Sequence, residues 1–197
     1  MKIYGDTKSG NCLKVKWVCE KLALPYVWIA TDIMAGGSRT LEFLRLNSAG
    51  QVPVAVLDDG RPLSQSNAIM RYLARGSALI PADAYQTAKM DEWLFWEQYS
   101  HEPFIAACRF EMLYLGKPVS DLDSAKVKRG YAALARMEHE LKDRRFLVGD
   151  ALSLADISLL AYTGVAHEGG FHLDGYAAVR RWIDESERAI GLANLRP

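Results

Sequence analysis

Two short stretches decide the fold of the first part of this chain: Gly50-Gln51-Val52-Pro53 and Leu63-Ser64-Gln65-Ser66-Asn67-Ala68-Ile69. Proline cannot donate a hydrogen bond into a sheet, so Pro53 must begin a strand or lie on an edge strand, with the backbone of Val52 facing outward. We expect a cis peptide bond before Pro53, although a trans proline that merely begins a strand fits the same pattern. Ser66 lies where a helix begins, and helix N-termini bind carboxylates. The two stretches therefore predict a ligand cradle built mostly of backbone.

Strand and helix patterns alternate around this cradle. We predict strands at 2–4 and 25–30 around a helix at 11–22, a short helix at 41–46, a hairpin of strands at 54–57 and 61–63, and a helix at 66–75. A strand–helix–strand unit of this length implies a parallel pair with a right-handed crossover. The order βαβ followed by ββα is that of an α/β thioredoxin-like domain, which we place at residues 1–76.

The second part of the chain carries only helical spacing. A linker at 77–84, which follows Gly76 and contains Pro81, precedes an all-α helical bundle at 85–197, with helices predicted at 85–114, 124–144, 153–163 and 176–187. Ser153 and Asp156 have the spacing of a helix N-cap and its N3 partner, an acidic variant of the capping box. We interpret this pair as structural and not catalytic.

In order and spacing, these features resemble the cytosolic glutathione S-transferase superfamily, in particular bacterial-type members with a serine in the active-site turn. The resemblance covers nearly the whole chain. It implies glutathione as co-substrate, conjugation of its thiolate to a small hydrophobic electrophile, and a homodimer. Two other functions stay open: a glutathione-dependent disulfide reductase, and a non-catalytic binding module on the same fold.

The chemistry is expected at the turn Thr7-Lys8-Ser9-Gly10-Asn11-Cys12, where the first strand leads into the first helix. The unpaired N–H groups and positive dipole end of a helix favour an anion such as a thiolate. In the Ser-dependent transferases that this turn resembles, a serine hydroxyl donates to the glutathione sulfur, which implies that role for Ser9. Asn11 could donate through its amide instead, and Cys12 could itself form a mixed disulfide with glutathione.

The resemblance also implies the residues that bind glutathione. The backbone of Val52, next to Pro53, would pair with the cysteinyl part. Gln65 and the hydroxyl and N–H of Ser66 would hold the γ-glutamyl end. Gln65 departs from the commoner glutamate of the family, which removes the charge-assisted part of its bond to the ligand ammonium.

Three further residues are candidates for the glycyl carboxylate of glutathione. Ser38 and Arg39 lie where some family members contact that group, and Gln51 is a candidate for the same end. A loop arginine such as Arg39 is usually just solvated.

The first long helix is rich in aromatic residues, and we expect one of its faces to overlook the glutathione sulfur. Tyr99, Phe104 and Arg109 are our candidates for the electrophile site. An aromatic stripe at helical spacing equally fits a core or a dimer interface.

Composition excludes several function classes. The 24 basic and 24 acidic residues give a formal net charge of zero, which argues against a nucleic-acid-binding protein. No apolar run approaches the roughly 20 residues that span a bilayer, so we expect a cytoplasmic protein without membrane contact. The three cysteines form no C-x-x-C pair. His167 and His172 flank Glu168 in a predicted loop without helical register, so we expect no metal site.

Overall fold

The computed structural model describes residues 1–192, and the chain divides into a first compact unit, Met1–Ser77, and a second that begins at Ala78. Residues 193–197, the end of the predicted helical domain, lie outside the described residues. The first unit is thioredoxin-like and the second is helical, which confirms the predicted fold class. No helix within residues 1–192 combines the length and the apolar content that crossing a bilayer requires.

The first unit is a four-stranded sheet with three α-helices and a short 3-10 helix, Gly37–Arg39. Its elements are β1 Lys2–Gly5, α1 Gly10–Lys21, β2 Val27–Ala30, α2 Leu41–Leu46, β3 Val54–Val56, β4 Pro62–Ser64 and α3 Ser66–Leu73. The strands lie in the order β2-β1-β3-β4, with β2 parallel to β1 and the other two neighbouring pairs antiparallel. The predicted order of elements is confirmed, with boundaries that differ by one or two residues.

Strand register brings three loop segments to one end of this sheet. Tyr4 pairs with Val54, and Val54 pairs with Ser64. The chain therefore leaves β1, enters β3 and leaves β4 at the same end. The segments 6–9, 51–53 and 65–66, which are distant in sequence, are neighbours in this unit because of that register.

Helix α1 covers the sheet through its apolar side. Val15, Val18 and Cys19 have no exposed surface, as the apolar spacing predicted. Ile69 and Met70 of α3, also fully buried, complete the layer on which α1 packs. This packing fixes the first turns of α1 and α3 relative to each other.

The second unit consists of five α-helices within the described residues: α4 Ala84–Trp96, α5 Glu102–Leu113, α6 Ser124–Leu141, α7 Leu154–Thr163 and α8 Ala177–Ile190. A π-helical turn, Glu97–His101, joins α4 directly to α5, so the helical segment predicted at 85–114 is confirmed but is not α-helical throughout. The physical reason is Pro103, which lacks the N–H that would otherwise bond to the carbonyl of Tyr99. Proline is tolerated in the first turn of α5, where the helix starts again.

The predicted capping box at the start of α7 is present. One oxygen of the fully buried Asp156 carboxylate accepts from the N–H and the hydroxyl of Ser153, both at 2.9 Å. The other oxygen accepts from the Leu147 N–H and from the Trp182 indole, also both at 2.9 Å. Four donors on one carboxylate tie the preceding loop and α8 to the start of α7.

Candidate functional site

The first turns of α1 and α3 meet at the side chain of Asn11. The Ser66 hydroxyl donates to Asn11 Oδ1 at 2.9 Å, and the Lys14 ammonium donates to the same oxygen at 2.8 Å. A carbonyl oxygen has two lone pairs, so both are used. Helix N-termini from two parts of the unit are thus joined by one amide, which concentrates their positive ends at this side of the sheet.

Ser9 is the N-cap residue of α1 and is half-buried. Its backbone is extended, with φ −78° and ψ 120°, and its side chain makes no capping bond to the helix. The hydroxyl instead hydrogen-bonds to the side chain of Cys12 in the next turn. Its position at the positive end of a helix suits a hydroxyl that stabilises an anion.

Cys12 has no exposed surface, and burial raises the pKa of its thiol to about 11 despite the opposing bond from Ser9. A thiol with that pKa is protonated at neutral pH and is a poor nucleophile. The structure therefore argues against the expectation that Cys12 is the working sulfur. Burial likewise raises the pKa of Cys19, to about 12, and that of Cys108.

The peptide bond between Val52 and Pro53 is cis, as expected. Pro53 is buried just before β3, while Val52 is partly exposed. The N–H and carbonyl of Val52 take part in neither the sheet ladder nor the turns of residues 1–192. The strand register leaves these two groups at the same end of the sheet as Ser9 and Ser66, where an extended ligand could pair with them.

Gln65 and Ser66 lie where β4 leads into α3. Gln65 is exposed and has φ +71° and ψ 113°, a backbone conformation that residues other than glycine rarely adopt. Ser66 is 5% exposed and is the first residue of α3. Because its hydroxyl proton is donated to Asn11, the expected donation from that hydroxyl to a ligand carboxylate is not available in this arrangement.

The loop beside Val52 holds the candidates for the glycyl end of glutathione. Arg39 is exposed, and its Nη1 donates to the Ala49 carbonyl at 3.2 Å. The Gln51 carbonyl accepts from the Asn47 side chain at 2.8 Å, and the Gln51 side chain is exposed. Ser38 is 5% exposed, which disfavours a direct contact of its side chain with a ligand.

In the second unit, Tyr99 and Phe104 line a pocket of about 600 Å³ together with Trp96. Tyr99 is 83% exposed, and the Arg129 guanidinium lies 5.1 Å from the centre of the Phe104 ring. The pocket wall is mostly aromatic and aliphatic, so it suits an apolar group.

Arg109 does not line this pocket. Its side chain is 8% exposed, and its Nε donates to Glu168 at 2.6 Å. The ion pair engages the Arg109 charge within the helical unit, which disfavours the predicted contact with a substrate. No sequence pattern links the two residues, which are 59 positions apart.

The sequence pattern did not single out Lys14, whose side chain has no exposed surface. A signal was present, because Lys14 lies four residues before the buried Val18 and so belongs to the inward face of α1. Charged residues are almost never fully buried without a partner, so the burial of Lys14 indicates a specific interaction at this position.

Across residues 1–192, no cluster of three or more His, Cys, Asp or Glu side chains is arranged to hold a metal ion.

Comparison with known proteins identifies the family of this chain. The family model for the glutathione S-transferase N-terminal domain matches residues 9–75, and that for the C-terminal domain matches residues 101–188. Glutathione S-transferase 3 of Zea mays is 32% identical over 79% of this chain and 73% of its own. The chain belongs to the glutathione S-transferase family.

Two further comparisons support the family assignment. Glutathione S-transferase theta-1 of Mus musculus is 27% identical over 97% of this chain and 84% of its own. A crystal structure of a glutathione S-transferase from Pseudomonas fluorescens is 45% identical, superposes with a TM-score of 0.91 and covers 94% of both chains. Members of the glutathione S-transferase family thus resemble this chain in both sequence and fold.

Proposed function

We propose that this protein conjugates the thiolate of glutathione to a small hydrophobic electrophile. The observation that carries the proposal is the convergence of three features at one end of the sheet: the N-terminus of α1, the unpaired backbone of Val52 and the N-terminus of α3. Two helix ends supply positive potential, and an extended backbone segment lies between them in the sheet order. A peptide with negative charges fits this arrangement.

The sulfur of glutathione would lie at the start of α1, with Ser9 as its hydrogen-bond donor. At neutral pH the Cys12 thiol is protonated, because burial raises its pKa to about 11, so it can donate its S–H to the Ser9 oxygen. The hydroxyl proton of Ser9 is then available to the glutathione sulfur. A donor and a helix end that lower a thiol pKa by one or two units supply roughly 1.4–2.7 kcal/mol. That shift converts a few per cent of thiolate into a large fraction at neutral pH. Asn11 is the alternative donor to the sulfur, since its Oδ1 accepts from Lys14 and Ser66 while the donor group of an amide is its Nδ2.

The remainder of glutathione would follow the edge of the sheet. The Val52 backbone would pair with the cysteinyl residue in the manner of an added strand. The Ser66 N–H at the start of α3 would bind the γ-glutamyl carboxylate, and the Gln65 amide oxygen would accept from the ammonium. Arg39 and Gln51 would serve the glycyl carboxylate, since both side chains are exposed in the neighbouring loop.

We assign the electrophile only by class. The aromatic wall formed by Trp96, Tyr99 and Phe104 favours an apolar compound, and the Arg129 guanidinium over the Phe104 ring would favour one with an electron-rich or anionic substituent.

A disulfide reductase that uses Cys12 is disfavoured, because that thiol is buried and protonated at neutral pH. We also expect a homodimer, which sedimentation equilibrium tests directly.

Thermal unfolding in the presence of glutathione tests the binding part of the proposal. A ligand at about 100 times its dissociation constant adds about 2.7 kcal/mol to the free energy of unfolding. We expect a saturable rise in melting temperature with glutathione and none with the dipeptide Cys-Gly, which lacks the γ-glutamyl group. Absence of any shift at several millimolar glutathione would favour the binding module instead.

Product formation tests the catalytic part. The protein is incubated with glutathione and an activated aryl chloride, and the thioether is quantified by mass spectrometry. We expect enzyme-dependent thioether, with little reduction of a small mixed disulfide offered in parallel. Disulfide reduction without thioether formation would reverse the assignment.

A further inference from the structure

The pocket that Trp96 and Tyr99 line in the second unit also carries positive charge. The guanidiniums of Arg129 and Arg136, both on α6, belong to its wall, and no carboxylate within residues 1–192 does. A cleft that has one sign of charge and apolar walls concentrates ligands of the opposite charge. The pocket therefore favours a ligand that is both apolar and anionic.

Arg136 is the better oriented of the two arginines. Its guanidinium carbon lies 4.9 Å from the centre of the Trp93 ring and 4.6 Å from that of the Trp96 ring. Indole faces attract a cation and restrict where it can lie. Arg129, by contrast, is exposed and lies over a single phenyl ring. An anion therefore finds the Arg136 guanidinium already in place, which reduces the entropy lost on binding.

One carboxylate lies close to Arg136, but the pair is loose. Glu92 Oε1 is 3.6 Å from Arg136 Nη2, whereas a charge-assisted hydrogen bond measures about 2.7–2.9 Å. The other Glu92 oxygen accepts from the Lys89 ammonium at 2.6 Å. A guanidinium has several N–H donors, so this pair leaves most of those of Arg136 for a ligand.

We propose that Arg136 binds an acidic group of the electrophile, so that aromatic carboxylates are the substrate class of this pocket. This inference rests on the proposed function, because it concerns the same electrophile. With an aryl chloride, the glutathione thiolate attacks the ring carbon, the sulfur–carbon bond forms, and chloride leaves with the electron pair of its bond. The carboxylate takes no part in these bond changes. Arg136 therefore determines specificity and not the chemical step.

The test compares two aryl chlorides that differ in charge but hardly in shape. Both have nitro groups on either side of the chlorine, and the position para to the chlorine carries a carboxylate in one and a carboxamide in the other. Each enzymatic rate is divided by the uncatalysed rate of the same compound with glutathione, which removes the difference in intrinsic reactivity. A hydrogen bond to a charged group corresponds to about tenfold in affinity. We expect the wild type to prefer the carboxylate by about tenfold in kcat/KM, mostly through KM.

Variants of α6 identify the residue that causes the preference. Arg136→Gln should bring the preference close to unity. Arg136→Lys should keep only part of it, because lysine retains the charge but not the planar set of donors. Arg129→Gln should lower it by no more than about twofold, since that guanidinium is exposed and screened by water. Lys128→Gln is the matched control, because it removes an exposed charge from the same helix outside the pocket wall. It should leave the preference unchanged.

Direct binding separates this inference from the proposed function. Isothermal titration calorimetry with the two chlorine-free compounds measures the preference for the carboxylate without any reaction. A preference that is present in the wild type and lost in Arg136→Gln supports the inference. If neither aryl chloride yields a thioether while that preference is present, the proposed function alone is refuted.

The opposite results are equally clear. Thioether formation at equal corrected rates from both aryl chlorides would overturn the inference and leave the proposed function intact. A preference that survives in Arg136→Gln, or that falls as far in Lys128→Gln, would also overturn it, as would binding of neither chlorine-free compound. If Arg136→Gln does not fold, Arg136→Met takes its place, since methionine keeps an apolar stem against the indoles and removes the charge.

Discussion

The Ser66 hydroxyl donates to Asn11 Oδ1 across 2.9 Å, although the two residues are 55 positions apart in the chain. This bond joins the first turn of α3 to the first turn of α1. It also determines which groups of Ser66 remain available to a ligand. The N–H and the hydroxyl lone pairs are left, while the hydroxyl proton is not.

Replacing Ser66 with alanine should weaken glutathione binding by about tenfold, since it removes the hydroxyl at the proposed γ-glutamyl site and the donor to Asn11. The dissociation constant from a fluorescence or calorimetric titration measures this. Ser48→Ala, in an exposed loop of the same unit, is the control and should bind like the wild type. Equal affinity of the two variants would remove Ser66 from the binding site.

Ser9→Ala should lower kcat by about two orders of magnitude and change the KM for glutathione less than about threefold, because the donor acts on the developing thiolate. The pH at which kcat is half-maximal should rise, since the pKa of bound glutathione is no longer lowered by the hydroxyl. Steady-state rates between pH 5.5 and 9 measure both effects. Thr7→Ala removes an exposed hydroxyl from the same turn and should have no effect. A parallel loss of kcat in both variants would point to damage of the turn instead.

Gln65→Gly should stabilise the apo protein. The φ of +71° at Gln65 costs on the order of 1–3 kcal/mol in a residue with a side chain, while the added chain entropy of glycine costs about 0.5–1 kcal/mol. The strain is at least as large as the entropy cost, so the free energy of unfolding should rise by up to about 2.5 kcal/mol. Ala68→Gly, three residues later within α3, should lower it by about 1 kcal/mol. Chemical denaturation compares the two variants. Glutathione affinity should fall in Gln65→Gly, because the side-chain acceptor is lost.

The stability of the protein should fall as pH rises above 9. Burial raises the pKa of the Cys12 thiol from 9.0 in the unfolded chain to about 11 in the folded protein. The folded state therefore keeps a proton that the unfolded state loses. The stabilisation that the protonated Cys12 thiol contributes is complete below pH 9. It is lost by about 1.4 kcal/mol per pH unit up to about pH 11. Urea denaturation at pH 8, 9, 10 and 11 measures the slope. Cys12→Ala should reduce it, and an unchanged slope would contradict the assignment to Cys12.

Asp156→Ala should destabilise the helical unit by about 3–5 kcal/mol, since it leaves four buried donors without their acceptor. Thermal unfolding followed by far-UV circular dichroism, which is dominated by the helices, reports the loss. Asp150→Ala removes an exposed carboxylate from the neighbouring loop and should leave the melting temperature unchanged. If the two variants melt alike, the four hydrogen bonds contribute little net stability.

The successful predictions depend on the chemistry of residues that are close together in the sequence. Pro53 indicated the start of a strand because it has no N–H, and the spacing of Val15 and Val18 indicated the buried side of α1, since helical periodicity is a property of the chain itself. The capping box at Ser153 was readable for the same reason. The π-helical turn before α5 was not predicted, because apolar spacing does not distinguish such a turn from a regular α-helix.

The order of strands and helices, the thioredoxin-like and helical parts, and the positions of the helix starts were determined by the sequence alone, because they depend on residues a few positions apart. Tertiary structure alone decided which side chains meet. It brought Ser66 and Lys14 to one oxygen of Asn11, buried the thiol of Cys12, and paired Arg109 with Glu168. Hydrogen-bond direction and burial arise from packing between segments that lie far apart in the chain, and no local pattern encodes them.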